Sequence, residues 1–277
     1  MLIHQEHKIP SSTHQKPITF DIRFEEGANH PLIIFLHGFK GFKDWGHFNL
    51  IASYLASNGF AVLKMNFSHN GTSPEALTDF VDLEAFGNNN FSTELQDVDD
   101  VLHHVHERFK EELDVENIFL LGHSKGGATA IIKAAESDII SKTATLASII
   151  NIKERYATGE LDHWKKEGVI YVPNARTNQQ MPLFYQLAED VLSNEERFDL
   201  EQTIKEYHKP LLMLHGAKDE TVKLEEFMQV EQLNPEVETY LIPDTNHTFD
   251  GSHPYEEDAL HIYTVEALDK VIEFFKA

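Results

Sequence analysis

The segment Gly122-His123-Ser124-Lys125-Gly126-Gly127 carries the strongest chemical signal in the chain. It follows the apolar run 118–121 and precedes a helical stripe at Ala128, Ile131, Ile132 and Ala135. A serine held on a sharp strand-to-helix turn needs very small residues two places before and two places after it, which Gly122 and Gly126 supply. Such a turn lifts the hydroxyl above a sheet at a helix N-terminus, where backbone N–H groups and the helix dipole favour a developing oxyanion. A bare G-x-S-x-G arises easily by chance. Its setting between a strand and a helix is what marks Ser124 as a nucleophile.

A serine hydroxyl needs a base, and the base needs an orienting acid. Folds with this elbow present the three in the order Ser, then Asp or Glu, then His. Downstream, the apolar run 211–214 leads into His215-Gly216-Ala217-Lys218-Asp219-Glu220. Asp219 therefore falls just beyond the C-terminal end of a strand, where open α/β sheets bind ligands. Glu220 is its neighbouring rival. The run 239–242 ends at Pro243 and is followed by Asp244-Thr245-Asn246-His247, so His247 is the expected base. His253 and His261 also lie downstream, the first farther from the strand end and the second inside a helical pattern. Leu36-His37-Gly38-Phe39-Lys40-Gly41 follows the first buried run, and the backbone N–H groups of Phe39 and Lys125 would form a two-donor oxyanion hole.

Positioning these residues requires a particular set of elements. The runs 32–36, 60–63, 118–121, 145–150, 211–214 and 239–242 are continuously apolar rather than alternating, as expected of strands covered on both faces of a parallel sheet. Residues 18–24 alternate more and predict an edge strand. Helical stripes intervene: Phe48, Ile51, Ala52 and Leu55; Leu95, Val98, Leu102, Val105 and Phe109; Leu268, Val271, Ile272 and Phe275. Alternation of strand and helix predicts a mostly parallel, doubly wound α/β sheet with helices on both faces. Residues 151–208 interrupt it with no good buried strand and with Pro173 and Pro182 as breakers. Phe184, Leu187, Ala188 and Val191 suggest one helix there. The expected organisation is a core of 1–150 and 209–277 with a cap inserted at 151–208. Its aromatic residues Trp164, Tyr171, Phe184 and Tyr185 are the candidate substrate contacts.

Bulk composition bounds the alternatives. In 277 residues, 41% are hydrophobic and 25% charged, enough for a sizeable core and too apolar for disorder. The net charge of −23 repels polyanions, which makes nucleic acid a poor partner and favours neutral substrates, aromatic esters of small acids among them. The absence of cysteine excludes disulfides, a thiol nucleophile and cysteine-bound zinc, and fits a reducing compartment. The segment MLIHQEHKIP lacks the apolar run of a signal peptide, and no stretch approaches the roughly 18 apolar residues of a membrane span. A cytoplasmic protein is expected. His103, His104 and His106, and likewise Asp97, Asp99 and Asp100, read as wet helix faces rather than metal ligands. His4, His7 and His14 lie in a polar segment expected to be loosely held.

Taken together, His37-Gly38-Phe39, Gly122-x-Ser124-x-Gly126, His215-Gly216-x-x-Asp219-x-x-Val222 and Asn246-His247-x-Phe249 resemble the α/β-hydrolase superfamily. The likeness runs from about Pro31 to the C-terminus. Within it, the chain is most similar to small bacterial carboxylesterases of the cinnamoyl/feruloyl esterase kind and to the serine aminopeptidase-like group. The resemblance implies a triad of Ser124, Asp219 and His247, an oxyanion hole at the Phe39 and Lys125 amides, and a cap after the sixth strand. It implies a small-molecule ester as substrate and neither cofactor nor metal. It leaves open a monomer or a homodimer. The chain departs from the family at Phe67-Ser68-His69-Asn70-Gly71, where His69 stands in place of a usual glycine. A peptidase or amidase would use the same residues, and a non-catalytic binding protein would share the fold.

Overall fold

The computed structural model describes residues 1–27 and 29–277. Its strands are β1 (Leu2–Pro10), β2 (Pro17–Glu25), β3 (His30–Leu36), β4 (Ala61–Asn66), β5 (Leu113–His123), β6 (Ile140–Leu146), β7 (Val169–Asn174), β8 (Gln179–Phe184), β9 (Leu211–Gly216) and β10 (Glu238–Ile242). The helices are α1 (Phe48–Ser57), α2 (Leu83–Gly87), α3 (Phe91–Phe109), α4 (Lys125–Glu136), α5 (Ile152–Tyr156), α6 (Leu161–Glu167), α7 (Gln186–Ser193), α8 (Leu200–Lys205), α9 (Leu224–Leu233) and α10 (Ile262–Lys276).

The apolar runs sort themselves by alternation onto the two faces of one sheet. Along β3, Leu32, Ile34 and Leu36 enter the core under α3 and α4, while Ile33 and Phe35 enter the core under α1 and α10. β5 repeats this with Ile118 and Leu120 against Phe119 and Leu121. Both faces are thus dry, which is why these strands read as unbroken apolar runs. The sheet order is β1-β2-β4-β3-β5-β6-β9-β10. β1 pairs antiparallel with β2 and β2 antiparallel with β4; every other neighbouring pair in this sheet is parallel. Parallel strands aim their C-terminal ends, and the loops that follow, at one rim. The helices follow from their stripes and caps. In α3, Asn90 accepts the Thr93 N–H at 2.8 Å, and Leu95, Val98, Leu102, Val105 and Phe109 are buried.

Several expectations are corrected. Residues 18–24 belong to β2, the second strand in from the edge, and the edge itself is β1. The N-terminal segment is therefore not loose: β1 pairs with β2 over its whole length, and the His7 ring stacks on Phe20 at 5.0 Å. The sixth strand lies earlier than the run 145–150, ending at Leu146, and Ala147 takes φ 50° as the chain turns off the sheet. Asp97 is not on a wet face but fully buried, and His104 is packed near Phe20 and Phe109. Residues 151–208 lie between β6 and β9, which are adjacent in the sheet, and they contain a two-stranded antiparallel sheet of β7 and β8 that their prolines had obscured. Phe184 ends β8 rather than starting a helix; the helix is α7. No helix among the described residues is long and apolar enough to cross a membrane.

Candidate active site

Ser124 stands between β5 and α4 at φ 55° and ψ −120°, a conformation that a side chain other than glycine adopts only under strain. The chain holds it there by close backbone contact. A Cβ on Gly122 would lie 2.2 Å from the Gly126 carbonyl oxygen, and one on Gly126 would lie 2.3 Å from that of Leu36. Both glycines are sterically required, as their spacing predicts. The Ser124 N–H donates to the Leu146 carbonyl at 2.9 Å, tying the turn to the end of β6.

Asp219 and His247 arrive from the next two strand ends. Their loops are stitched together: the Ala217 N–H donates to Ile242 and the Lys218 N–H to Thr245, each at 2.9 Å. The His247 Nδ1–H donates to Asp219 Oδ2 at 2.7 Å. Asp219 Oδ1 accepts the N–H groups of Thr221 at 2.7 Å and Val222 at 2.9 Å. Burial pushes the Asp219 carboxyl upward, but the His247 hydrogen bond and charge, with the two amides, outweigh it and hold it below the ordinary carboxylate range. The rivals are placed elsewhere. Glu220 is exposed. His253 Nδ1 accepts the Gly46 N–H at 2.8 Å, and His261 caps α10.

Two further histidines support the frame without titrating near neutrality. Burial lowers His123 to about 3; its Nε2–H donates to the His247 carbonyl at 2.9 Å, fixing the loop that carries the imidazole. Burial lowers His37 to about 4, and its Nδ1–H donates to the Gly38 carbonyl at 2.9 Å, shaping the turn before Phe39. The Phe39 N–H lies outside any helix or strand and donates to no backbone carbonyl among the described residues. Lys125 opens α4, where first-turn N–H groups have no acceptor within the helix. The Lys125 side chain turns inward, with Nζ 2.6 Å from Glu94 Oε1 and 4.4 Å from the Phe91 ring centroid. A buried ion pair thus anchors the residue that follows Ser124.

Ser124 and His247 line one cavity of about 450 Å³, together with Gly38, Phe39, Trp45 and Ile149. The insertion contributes Arg155, Tyr156, Asn174 and Arg176 to its wall. None of the four aromatics expected there from the sequence lines it. Trp164 is buried within the insertion, donating Nε1–H to the Leu183 carbonyl at 2.9 Å, with Tyr185 packed edge-on against it. Phe184 lies over Gly87, and Tyr171 is exposed. Aromatic residue type pointed to the insertion's own core. Arg155, Asn174 and Arg176 carried no signal in spacing, because their placement depends on α5 and on the register of β7 with β8.

The chain's relations to known proteins agree with this architecture. A family model for the alpha/beta hydrolase fold matches residues 31–172. No curated protein matches the sequence. Among solved structures, ferulic-acid-bound Est1E from Butyrivibrio proteoclasticus is similar with a TM-score of 0.71 at 22% identity, over 98% of this chain and 98% of that one. DcsB in complex with its substrate analogue gives 0.73 at 16% identity, over 99% of each chain. An acylaminoacyl peptidase from Pyrococcus horikoshii gives 0.65 at 16% identity, over 99% of this chain but 41% of that longer one. At such identities the likeness is one of fold.

Proposed function

This chain belongs to the α/β-hydrolase fold family, and from that premise we propose that it is a serine hydrolase cleaving carboxylic esters through an acyl-enzyme on Ser124. The observation that carries the reading is the 2.7 Å hydrogen bond that the Asp219 carboxylate accepts from Nδ1 of His247, which lines the same cavity as Ser124. That bond leaves Nε2 as the basic nitrogen. His247 takes the Ser124 proton as the hydroxyl attacks the ester carbonyl, and Asp219 stabilises the imidazolium. The Phe39 and Lys125 N–H groups receive the oxyanion, each worth about 3 kcal/mol in the transition state. His247 then hands its proton to the departing alcohol. In the second half, it activates water against the acyl-enzyme and returns the proton to Ser124.

In this reading residues 1–150 and 209–277 form the catalytic core and 151–208 form a cap that shapes the substrate wall, through Arg155, Tyr156, Asn174 and Arg176. The cysteine-free chain suits a reducing compartment, and we assign it to the cytoplasm. The test is hydrolysis of p-nitrophenyl butyrate against the matched p-nitroanilide. An esterase turns over the ester with burst release of p-nitrophenol and leaves the anilide nearly untouched. Preferential cleavage of the anilide would reassign the protein as an amidase, and turnover of neither would oppose the reading.

A further inference from the structure

Acidic residues outnumber basic ones by 46 to 23 in this chain. A cleft of about 340 Å³ between α5 and α8 follows that excess: five carboxylates, of Glu154, Glu195, Glu196, Asp199 and Glu201, line it with one cation, Lys153. The cavity over Ser124 is the reverse. Lys40, Arg155 and Arg176 line it, and among the described residues no aspartate or glutamate does.

The three cations are not equivalent. Arg155 is occupied by Glu226 and by the Thr221 carbonyl. Lys40 Nζ donates to the Pro173 carbonyl at 3.1 Å, joining the oxyanion loop to β7. Arg176 has no ion-pair partner among the described residues. Its guanidinium lies over Phe42 and Phe80, 5.4 and 5.7 Å from the ring centroids. Aromatic stacking fixes the plane of a guanidinium while leaving its N–H edge open. Beside it, Asn174 is 7% exposed; Oδ1 accepts the Arg176 backbone N–H at 3.3 Å, and Nδ2 is buried with no acceptor among the described residues. A buried donor without an acceptor is costly, and an acceptor brought against it relieves that cost. The end of β7 and the turn that follows therefore bring an open guanidinium and an unsatisfied amide donor to residues lining one cavity. Among the described residues, neither has a hydrogen-bond acceptor.

We infer that this site selects esters bearing a free carboxylate at the end remote from the scissile bond, held by Arg176 and by the Asn174 side-chain amide. The planar fork of an arginine matches a carboxylate. The acidic exterior repels multiply charged ligands more strongly than a monoanion, so one carboxylate is favoured over a polyphosphate. This substrate class rests on the hydrolase reading above and replaces the neutral ester expected from net charge alone.

The experiment compares monoethyl with diethyl esters of succinate, glutarate and adipate by pH-stat. At the best chain length, kcat/KM for the monoester is expected to exceed that for the diester by about tenfold, equivalent to about 1.4 kcal/mol, mainly through KM. Arg176→Gln should lower the monoester by about that factor and the diester much less, Arg176→Lys should recover part of it, and added salt should narrow the preference. Calorimetric binding of monoethyl glutarate to Ser124→Ala, weakened when Arg176→Gln is added, reads the same site without chemistry. Monoester binding without turnover by the parent would uphold the anion site while sinking the hydrolase reading. Diester turnover with no monoester preference at any length, or equal losses on both esters in Arg176→Gln, would overturn the anion site alone.

Discussion

Serine, histidine and aspartate are grouped at two places in this molecule. Beyond β5, β10 and β9, Ser124 and His247 line one cavity and His247 bonds Asp219; between the end of β4 and α3, Ser68 bonds both His69 and Asp97. In the first group the carboxylate grips the imidazole, and His247 keeps a cavity-facing edge. In the second, Asp97 Oδ2 takes the Ser68 backbone N–H at 2.7 Å, Oδ1 has no hydrogen-bond partner among the described residues, and the Ser68 hydroxyl bonds His69 Nδ1 at 2.8 Å. No hydrogen bond joins Asp97 to His69 among the described residues. The electrostatics diverge accordingly. Asp219, with a histidine beside it, lies below its ordinary value, whereas burial without a cationic partner raises Asp97 from 3.8 to about 7. Burial, followed by the nearby His14, lowers His69 to about 4, leaving it neutral. In the proposed reading, what separates a proton relay from a buried polar plug is whether the carboxylate holds the imidazole, rather than the residue types.

The two serines should differ most. Ser124→Ala should reduce p-nitrophenyl ester hydrolysis to near background, a loss on the order of 10⁶ in kcat, with the melting temperature unchanged. Ser68→Ala should retain turnover, and a matching loss there would erase the distinction drawn between the groups. At the acids, Asp219→Asn should cost about 10⁴ in kcat by fixing the wrong imidazole tautomer. Glu220→Gln should cost far less; the reverse ranking transfers the role to Glu220.

Asp97 should act on stability instead. Between pH 4 and 7 the folded protein holds a proton on Asp97 that the unfolded chain has released, so its contribution to stability falls as pH rises through that window and stays low above it. Asp97→Asn should remove that component, on the order of a few kcal/mol, so that the variant gains on the parent in urea midpoint between pH 5 and pH 8. An unchanged difference across that range would place the Asp97 carboxyl in an ordinary environment. The smallest effect belongs to the insertion's surface: Tyr171→Ala should keep the parent's ranking of short, long and aromatic acyl esters. A changed ranking would restore this exposed ring as a substrate contact.

The elbow was legible because its requirement is local: two glycines whose Cβ atoms would strike backbone. Asp219 and His247 were legible because strands end in recognisable apolar runs and the residues just beyond them converge on one rim. The insertion was opaque for the opposite reason. Trp164 and Tyr185 pack within it, while the cavity wall comes from the turn of a hairpin whose prolines argue against strands. β1 was hidden by its inward residues, since Gln5 and His7 stand between Ile3 and Ile9 on its half-buried face. Asp97 shares the buried face of α3 with Glu94 and Val101, and its residue type alone suggested solvent.

The account turns on Ser124 being an activated nucleophile, and a fluorophosphonate probe reads that directly. Labelling of the native protein followed by peptide mapping should find one modified residue, Ser124. The label should be absent from Ser124→Ala, strongly slowed in His247→Ala, and undiminished in Ser68→Ala. A folded protein that takes no label, or a label that survives Ser124→Ala, would contradict the central claim.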